Sequence, residues 1–515
     1  MSSFLYIIAW VRNAYASSAV SRLLQGISAR FRNLLSGSAA WDFIRKESLV
    51  TRAWEHSGTF RLTSWLLNFP SRILGVFYTK CREAFAESIT VKFLTAVVDS
   101  LHILLGVFLA LMVLIPHARW HNIYSVLAIV LLAVLYFLGT IIGRKTGFNL
   151  RAIDAVLFIF VICVILAEIT SVLPGGSIST FIFYMTCFLL VLLMASLLTT
   201  RESLASVIEL FLIGISASAV YGIWQAVVVG IPADPSLTDV ALNEGLPGRL
   251  YSTMGNPNNY AEILVLTIPF FFAVIFNADS YVKKSAYFIL ALPSVAALLL
   301  TYSRSGWIAF AVSLFVYVFL KNRKMIPFVL LFGVLCIPLL PDTVYRRLMT
   351  IWNPQDSSAK YRVMILETIK PMFRDFWATG IGLGPAPFMR IYGRYYQFTK
   401  TTAPHSHNLF LQIWLETGIA GILSFVWFTG RLLKSGIKSI FNKSDLHVSN
   451  ILMAAAASLC GVLVMGLAEH IWFYPRVMLV FWADVGIMLA GLGIINRVRG
   501  ESYEAGYSCA NEIDR

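Results

Sequence analysis

Charge is what this chain has least of: Asp, Glu, Lys and Arg make up 13% of its 515 residues, about half the share usual in soluble domains. Together with a mean hydropathy of +0.74, that scarcity excludes an ordinary water-soluble fold. Cysteine is sparse as well. Cys81, Cys163, Cys187, Cys336, Cys460 and Cys509 are scattered, mostly inside apolar runs, and spell neither a disulfide framework nor a metal site. Alternation of apolar and polar residues at every second position is missing, which argues against an outer-membrane barrel. A cleavable leader is not expected either, since the first apolar stretch, 4–11, is short and runs into basic residues.

What is abundant is apolar sequence, 58% of the chain. Segments near 96–116, 122–142, 153–173, 179–199, 204–230, 259–277, 285–302, 305–320, 325–341, 409–429, 449–469 and 477–495 approach the roughly 20 residues that cross a bilayer as helix. A helix is the default span because it satisfies its own backbone hydrogen bonds. The expected fold is therefore all-α, a polytopic integral membrane protein of about twelve transmembrane helices. Lys and Arg crowd one set of short loops (Arg144, Lys145, Arg151, Arg201, Lys283, Lys284, Lys321, Arg323, Lys324, Arg431, Lys434, Lys438, Lys443), which places that side and both termini in the cytoplasm. This divides the chain into a basic cytoplasmic region (1–94), spans one to nine (95–341), an extracytoplasmic loop (342–408), spans ten to twelve (409–496) and a cytoplasmic tail (497–515).

In the first region Arg12, Arg22, Arg30, Arg32, Arg45, Lys46, Arg52, Arg61, Arg72, Lys80 and Arg82 are interleaved with Leu, Phe and Trp, as in helices lying on an anionic leaflet. The net charge of +14 is thus matched to membrane lipids and implies no nucleic acid. The outer loop breaks the pattern. It holds Arg346, Arg347, Lys360, Arg362, Lys370, Arg374, Arg390, Arg394 and Lys400 against Asp342, Asp356, Glu367 and Asp375, so an anion-binding role is expected there.

Four stretches on that side could carry chemistry. The run 248–260 places Arg249 at a span entrance beside a turn of Gly, Asn and Pro, and pairs Asn259 with Glu262 in capping-box spacing. Arg304 stands in the tight hairpin Thr301-Tyr302-Ser303-Arg304-Ser305-Gly306-Trp307, at a depth where ionisable groups are costly. Tyr361-Arg362 precedes Gly380-Ile381-Gly382-Leu383-Gly384-Pro385, whose alternate glycines suit a tight turn rather than a nucleotide fingerprint. Pro404-His405-Ser406-His407-Asn408 opens the tenth span; two histidines without further ligands argue against metal, and His407 is a candidate general base.

Taken together, these motifs resemble the O-antigen ligase and polymerase superfamily, over roughly residues 120–495. The run His407-Asn408, nine residues, Gly418 matches the ligase pattern. The resemblance implies a GT-C-like membrane glycosyltransferase, needing no metal or cofactor, in the bacterial cytoplasmic membrane. Its donor would be an undecaprenyl diphosphate-linked glycan on the outer face, its acceptor a glycan, lipid or protein. By that likeness Arg249 and Arg304 grip the diphosphate and His407 deprotonates the acceptor, with Arg362, His405 and Asn408 as further substrate contacts. The basic N-terminal region and Glu469-His470-Ile471-Trp472-Phe473-Tyr474-Pro475-Arg476 also look like the branch described as inorganic-carbon transporters. That likeness implies the alternative of an anion (bicarbonate) transporter. Transport favours polar groups near the bilayer midplane, whereas most of Asp99, Asp154, Glu168, Glu209, Glu469 and Asp484 fall near the ends of these spans. Glycosyl transfer is the favoured reading.

Overall fold

The structure is a computed structural model that describes residues 49–145, 147–232, 248–349, 357–395, 402–441 and 445–513. The expected basic residues Arg12, Arg22, Arg30, Arg32, Arg45, Lys46, Lys400 and Lys443, with Asp356, lie outside the described residues. Within them every regular element is helical. Three helices, α1 (Leu49–Glu55), α2 (Gly58–Leu67) and α3 (Phe69–Glu87), precede the apolar set. On α2 and α3, Leu62, Trp65, Leu66, Phe69, Ile73, Val76 and Phe77 are exposed. Asn68 ties this elbow to the bundle, accepting from Phe148 N (2.6 Å) and donating to Phe148 O (3.2 Å).

The apolar helices follow in chain order: α4 (Ile89–Asp99), α5 (Leu101–Leu114), α6 (Asn122–Ile141), α7 (Ala155–Ile169), α8 (Pro174–Leu197), α9 (Arg201–Trp224), α10 (Pro257–Asn277), α11 (Tyr281–Leu300), α12 (Arg304–Asn322) and α13 (Ile326–Cys336). Then come α14 (Asp342–Met349), α15 (Ser357–Phe376) and α16 (Pro385–Tyr395), and after them α17 (Leu409–Phe441), α18 (Leu446–Met465) and α19 (Pro475–Ile513). Among the described residues, nine helices are long and apolar enough to cross a membrane, counting 304–336 as one, or ten with α4 and α5 joined across their 55° bend. The apolar helix α7 is shorter.

Side-chain contacts show that 304–336 does not run straight. Lys321, at the end of α12, donates to Asn450 (2.6 Å), while the Tyr302 hydroxyl just before α12 meets Thr343 just after α13 (3.0 Å). A helix of 33 residues would be about 50 Å long, so the chain must reverse to bring Thr343 back beside Tyr302. The reversal falls at Asn322, whose φ of −162° and ψ of 94° are extended.

Burial separates centre from rim. The spans 475–498, 446–465 and 257–277 are 89%, 83% and 78% buried, against 22% for α11. α18 can sit at the centre because small residues, Ala454 to Ala457 and Gly461, let neighbours approach closely. A Cβ on Gly461 would lie 2.7 Å from the Ala309 carbonyl of α12. The segment between α13 and α17 has a small core of its own, in which Ile365, Ile369 and Met372 of α15 meet Phe388 and Ile391 of α16.

One local expectation is corrected. The cap of α10 is Asn256, which accepts from Asn258 N (2.8 Å) and Asn259 N (3.4 Å), rather than Asn259 paired with Glu262. Pro257, with its fixed φ, starts the helix earlier than the capping-box spacing suggests. Glu262 is left a turn inside, 2% exposed.

Candidate active site

Three of the four motif loops share a backbone feature. Among the described residues, the non-glycine positions with left-handed φ are Ser252 (49°), Tyr302 (49°) and His407 (51°). Such conformations cost on the order of 1 kcal/mol each and persist where surrounding bonds hold them. Here the Ser252 hydroxyl donates to Ser218 O (2.6 Å), Tyr302 meets Thr343, and His407 N donates to His405 Nδ1 (3.1 Å).

The loops converge on one carboxylate. Glu469, between α18 and α19, accepts from Arg362 Nη2 (2.5 Å) and Asn258 Nδ2 (3.2 Å) on Oε1. Its Oε2 lies 3.5 Å from His407 Nδ1, the outer limit of a hydrogen bond. Asn258 also accepts from Arg249 Nη2 (2.6 Å), and Arg249 Nε donates to Thr301 O (2.8 Å). Arg249 is therefore joined to Glu469 through one amide. The Tyr361 and His407 rings meet edge to face, their centroids 5.4 Å apart.

The electrostatics are those of a crowded cationic site. Burial chiefly, then repulsion from Arg347, Arg304 and Arg362 against the attraction of Glu469, lowers the Arg249 guanidinium to about 9; it stays charged at neutral pH. Burial alone would raise the Glu469 carboxyl, but contact with His407 and Arg362 more than offsets it and holds the group below the usual range. Burial pushes His405 down to about 2 and His470 to about 3, so both rings are neutral.

Of the residues expected from sequence, the structure brings Arg249, Arg304, Arg362, His405 and His407 into this neighbourhood. Asn408 is differently employed. Its Oδ1 accepts from Leu411 N (3.0 Å) and its Nδ2 donates to Leu467 O (2.8 Å), so it caps α17 and ties that helix to the turn leading to Glu469. Three residues were missed. Asn258 was read only as part of a turn, Arg347 only as loop charge, and Glu469 carries no local motif linking it to His407.

The glycine motif has a structural task. Gly418, at φ 71° and ψ −176°, breaks α17, a conformation open essentially to glycine alone. Into the break the 377–384 loop inserts: Ile381 N donates to Leu415 O (2.7 Å), Gly382 N to Glu416 O (3.2 Å), and Ile419 N to Trp377 O (2.9 Å). Glu416 accepts from Gly384 N (3.1 Å), Gln412 (2.9 Å) and the Tyr184 hydroxyl (3.2 Å). A Cβ on Gly382 would fall 2.1 Å from Ser171 Oγ, so the loop fits only as bare backbone. The fixed spacing from His407 to Gly418 thus runs from the mouth of α17 to the notch that seats this loop.

Residues 288–426 match the O-antigen ligase family model. The match takes in Arg304, Arg347, Arg362, His407 and Gly418, and stops before Glu469; Arg249 precedes it. It supports the O-antigen ligase superfamily and a membrane ligase or polymerase role, with lipid-linked glycans as the implied substrates. It gives no support to the inorganic-carbon branch. No curated protein matches the chain. Among the described residues, no group of three or more His, Cys, Asp or Glu could hold a metal ion.

Proposed function

We propose that this protein is a membrane glycosyltransferase that moves or polymerises glycan from an undecaprenyl diphosphate carrier at the outer face of the bacterial cytoplasmic membrane. The observation that carries the reading is the meeting of His407 and Arg362 at Glu469, with Arg249 tied to the same carboxylate through Asn258 and lying among Arg304, Arg347 and Arg362. Taking 304–336 as two spans, α4 with α5 as one, and α7 as another gives about twelve crossings. That count leaves both termini in the cytoplasm and the arginines outside.

In the reaction, the acceptor hydroxyl attacks the anomeric carbon from the face opposite the carrier. The new C–O bond forms as the bond to the diphosphate oxygen breaks, with inversion, and the diphosphate leaves with the electron pair. Arg249, Arg304 and Arg362 offset the charge that develops on it; planar guanidinium groups suit phosphate oxygens. With Nδ1 of His407 turned to Glu469, Nε2 is the nitrogen left to take the acceptor proton, and the carboxylate stabilises the imidazolium that forms. His405 remains a neutral acceptor that fixes the His407 backbone, and Asn408 positions the mouth of α17.

The test is His407→Ala, purified and reconstituted with a lipid diphosphate-linked oligosaccharide. Transfer is expected to fall by about 10²–10⁴ while binding of the lipid diphosphate persists. Full transfer by the variant would remove the general-base assignment.

A further inference from the structure

We infer that Arg347, carried by the short helix α14 rather than by a span, is a further arm of the diphosphate-binding site, beside Arg249, Arg304 and Arg362. The inference rests on the reading above and singles out a residue that the sequence placed only among the charges of a basic, anion-binding loop.

The hairpin before α12 offers two neighbouring carbonyls, and each holds an arginine from a distant segment. Arg249 docks its Nε on Thr301 O at 2.8 Å, and Arg347 docks its Nε on Tyr302 O at 3.4 Å. Arg304 follows two residues along. Three guanidinium groups are therefore gathered at one turn, and holding an arginine through Nε fixes its guanidinium plane, which suits recognition of phosphate oxygens. Tyr302 adopts a left-handed φ at this point and anchors α14 by its hydroxyl to Thr343, so the strained residue both turns the hairpin and fastens the helix that brings Arg347.

α14 is built to make that delivery. It buries Val344 and Arg347 while Tyr345, Arg346 and Met349 stay exposed. Arg347 is 5% exposed, an unusual location for a loop cation, and it is the arginine whose repulsion weighs most on Arg249. Like charges are costly to bury side by side. Arginines gathered at one turn favour a ligand with more than one negative charge, so a diphosphate suits the cluster better than a monophosphate. Glu469 bonds directly to Arg362 and through Asn258 to Arg249.

The experiment measures binding of farnesyl diphosphate and farnesyl monophosphate to full-length protein in nanodiscs. It compares wild type with Arg347→Ala, Arg347→Lys, Arg346→Ala, Arg249→Ala and Arg304→Ala. The expected result is a loss of diphosphate affinity of at least tenfold in Arg347→Ala, with the diphosphate-to-monophosphate preference collapsing toward unity. Arg347→Lys should fall between, and Arg346→Ala should bind as wild type. A merely structural Arg347 would lower both affinities together and leave the preference intact, which overturns the inference even if the alanine variant is poorly folded, because the lysine variant reads the same ratio. Wild-type preference in both Arg347 variants, with loss in Arg249→Ala and Arg304→Ala, would also overturn it while leaving the proposed function in place. No loss in any arginine variant would remove the proposed function itself.

Discussion

Replacing Glu469 by glutamine keeps size and hydrogen-bonding capacity but deletes the one negative charge that, among the described residues, His407 and Arg362 contact directly. If His407 takes the acceptor proton, an imidazolium forms with its Nδ1 3.5 Å from Glu469 Oε2. At an effective dielectric of about 20, two unit charges at that distance attract by about 5 kcal/mol, which corresponds to between about 10³ and 10⁴ in rate. Ground-state binding responds in the opposite direction. The carboxylate competes with an incoming diphosphate for Arg362 and, through Asn258, for Arg249, so its removal should leave diphosphate affinity unchanged or higher. The stability cost is smaller than for a fully buried pair, since Arg362 is 30% exposed and solvent screens it. The assay is turnover of a lipid-linked oligosaccharide alongside binding of the diphosphate lipid. Turnover within about tenfold of wild type in a well-folded Glu469→Gln would refute the assignment of Glu469 as the partner of the base.

Gly418→Ala should uncouple the 377–384 loop from α17. The new Cβ would stand 2.1 Å from Ala378 O, and with about 1–3 kcal/mol of backbone strain the insertion is expected to open. Faster amide exchange at Ile381 and Ile419, together with lost transfer, is the signature; wild-type exchange at both amides would contradict it. Acidification supplies a further check. His405 and His470 have folded values depressed below the ordinary 6.5, so the unfolded chain binds their protons first. Their contribution is complete above pH 6.5 and is lost as pH falls, by about 2 kcal/mol for each at pH 5. Glu469, also depressed, loses its contribution only at pH below the ordinary carboxylate value. Thermal melting between pH 7 and 5 should therefore show a marked decline that His470→Phe reduces by about half, and a melting temperature flat over this range would contradict the buried neutral rings.

The membrane class of the fold was legible because it follows from composition and run length, which lipid dictates directly. Arg249, Arg304 and His407 stood out as candidates for a related reason: an ionisable side chain at the edge of an apolar run is costly, so its presence calls for an explanation. Glu469 was not, because its meaning lies in contacts made across the bundle, to Asn258, Arg362 and His407. Arg347 looked like any other charge on a basic loop until α14 turned it inward. The start of α10 was misplaced because an Asn-x-x-Glu spacing is local, whereas Pro257 and the Asn256 side chain decide the cap. The alternate glycines gave a tight turn correctly, yet nothing in the 380–384 segment announces that its partner is the break at Gly418.

Release of polyprenyl diphosphate is the observable to seek, using purified protein in vesicles loaded with a lipid diphosphate-linked glycan and an acceptor glycan. Wild type should release one polyprenyl diphosphate for each glycosidic bond formed, and His407→Ala should release none above background. Vesicles that show no release with wild-type protein, but take up bicarbonate at a rate unchanged by Arg249→Ala and Arg304→Ala, would contradict the glycosyltransferase reading outright.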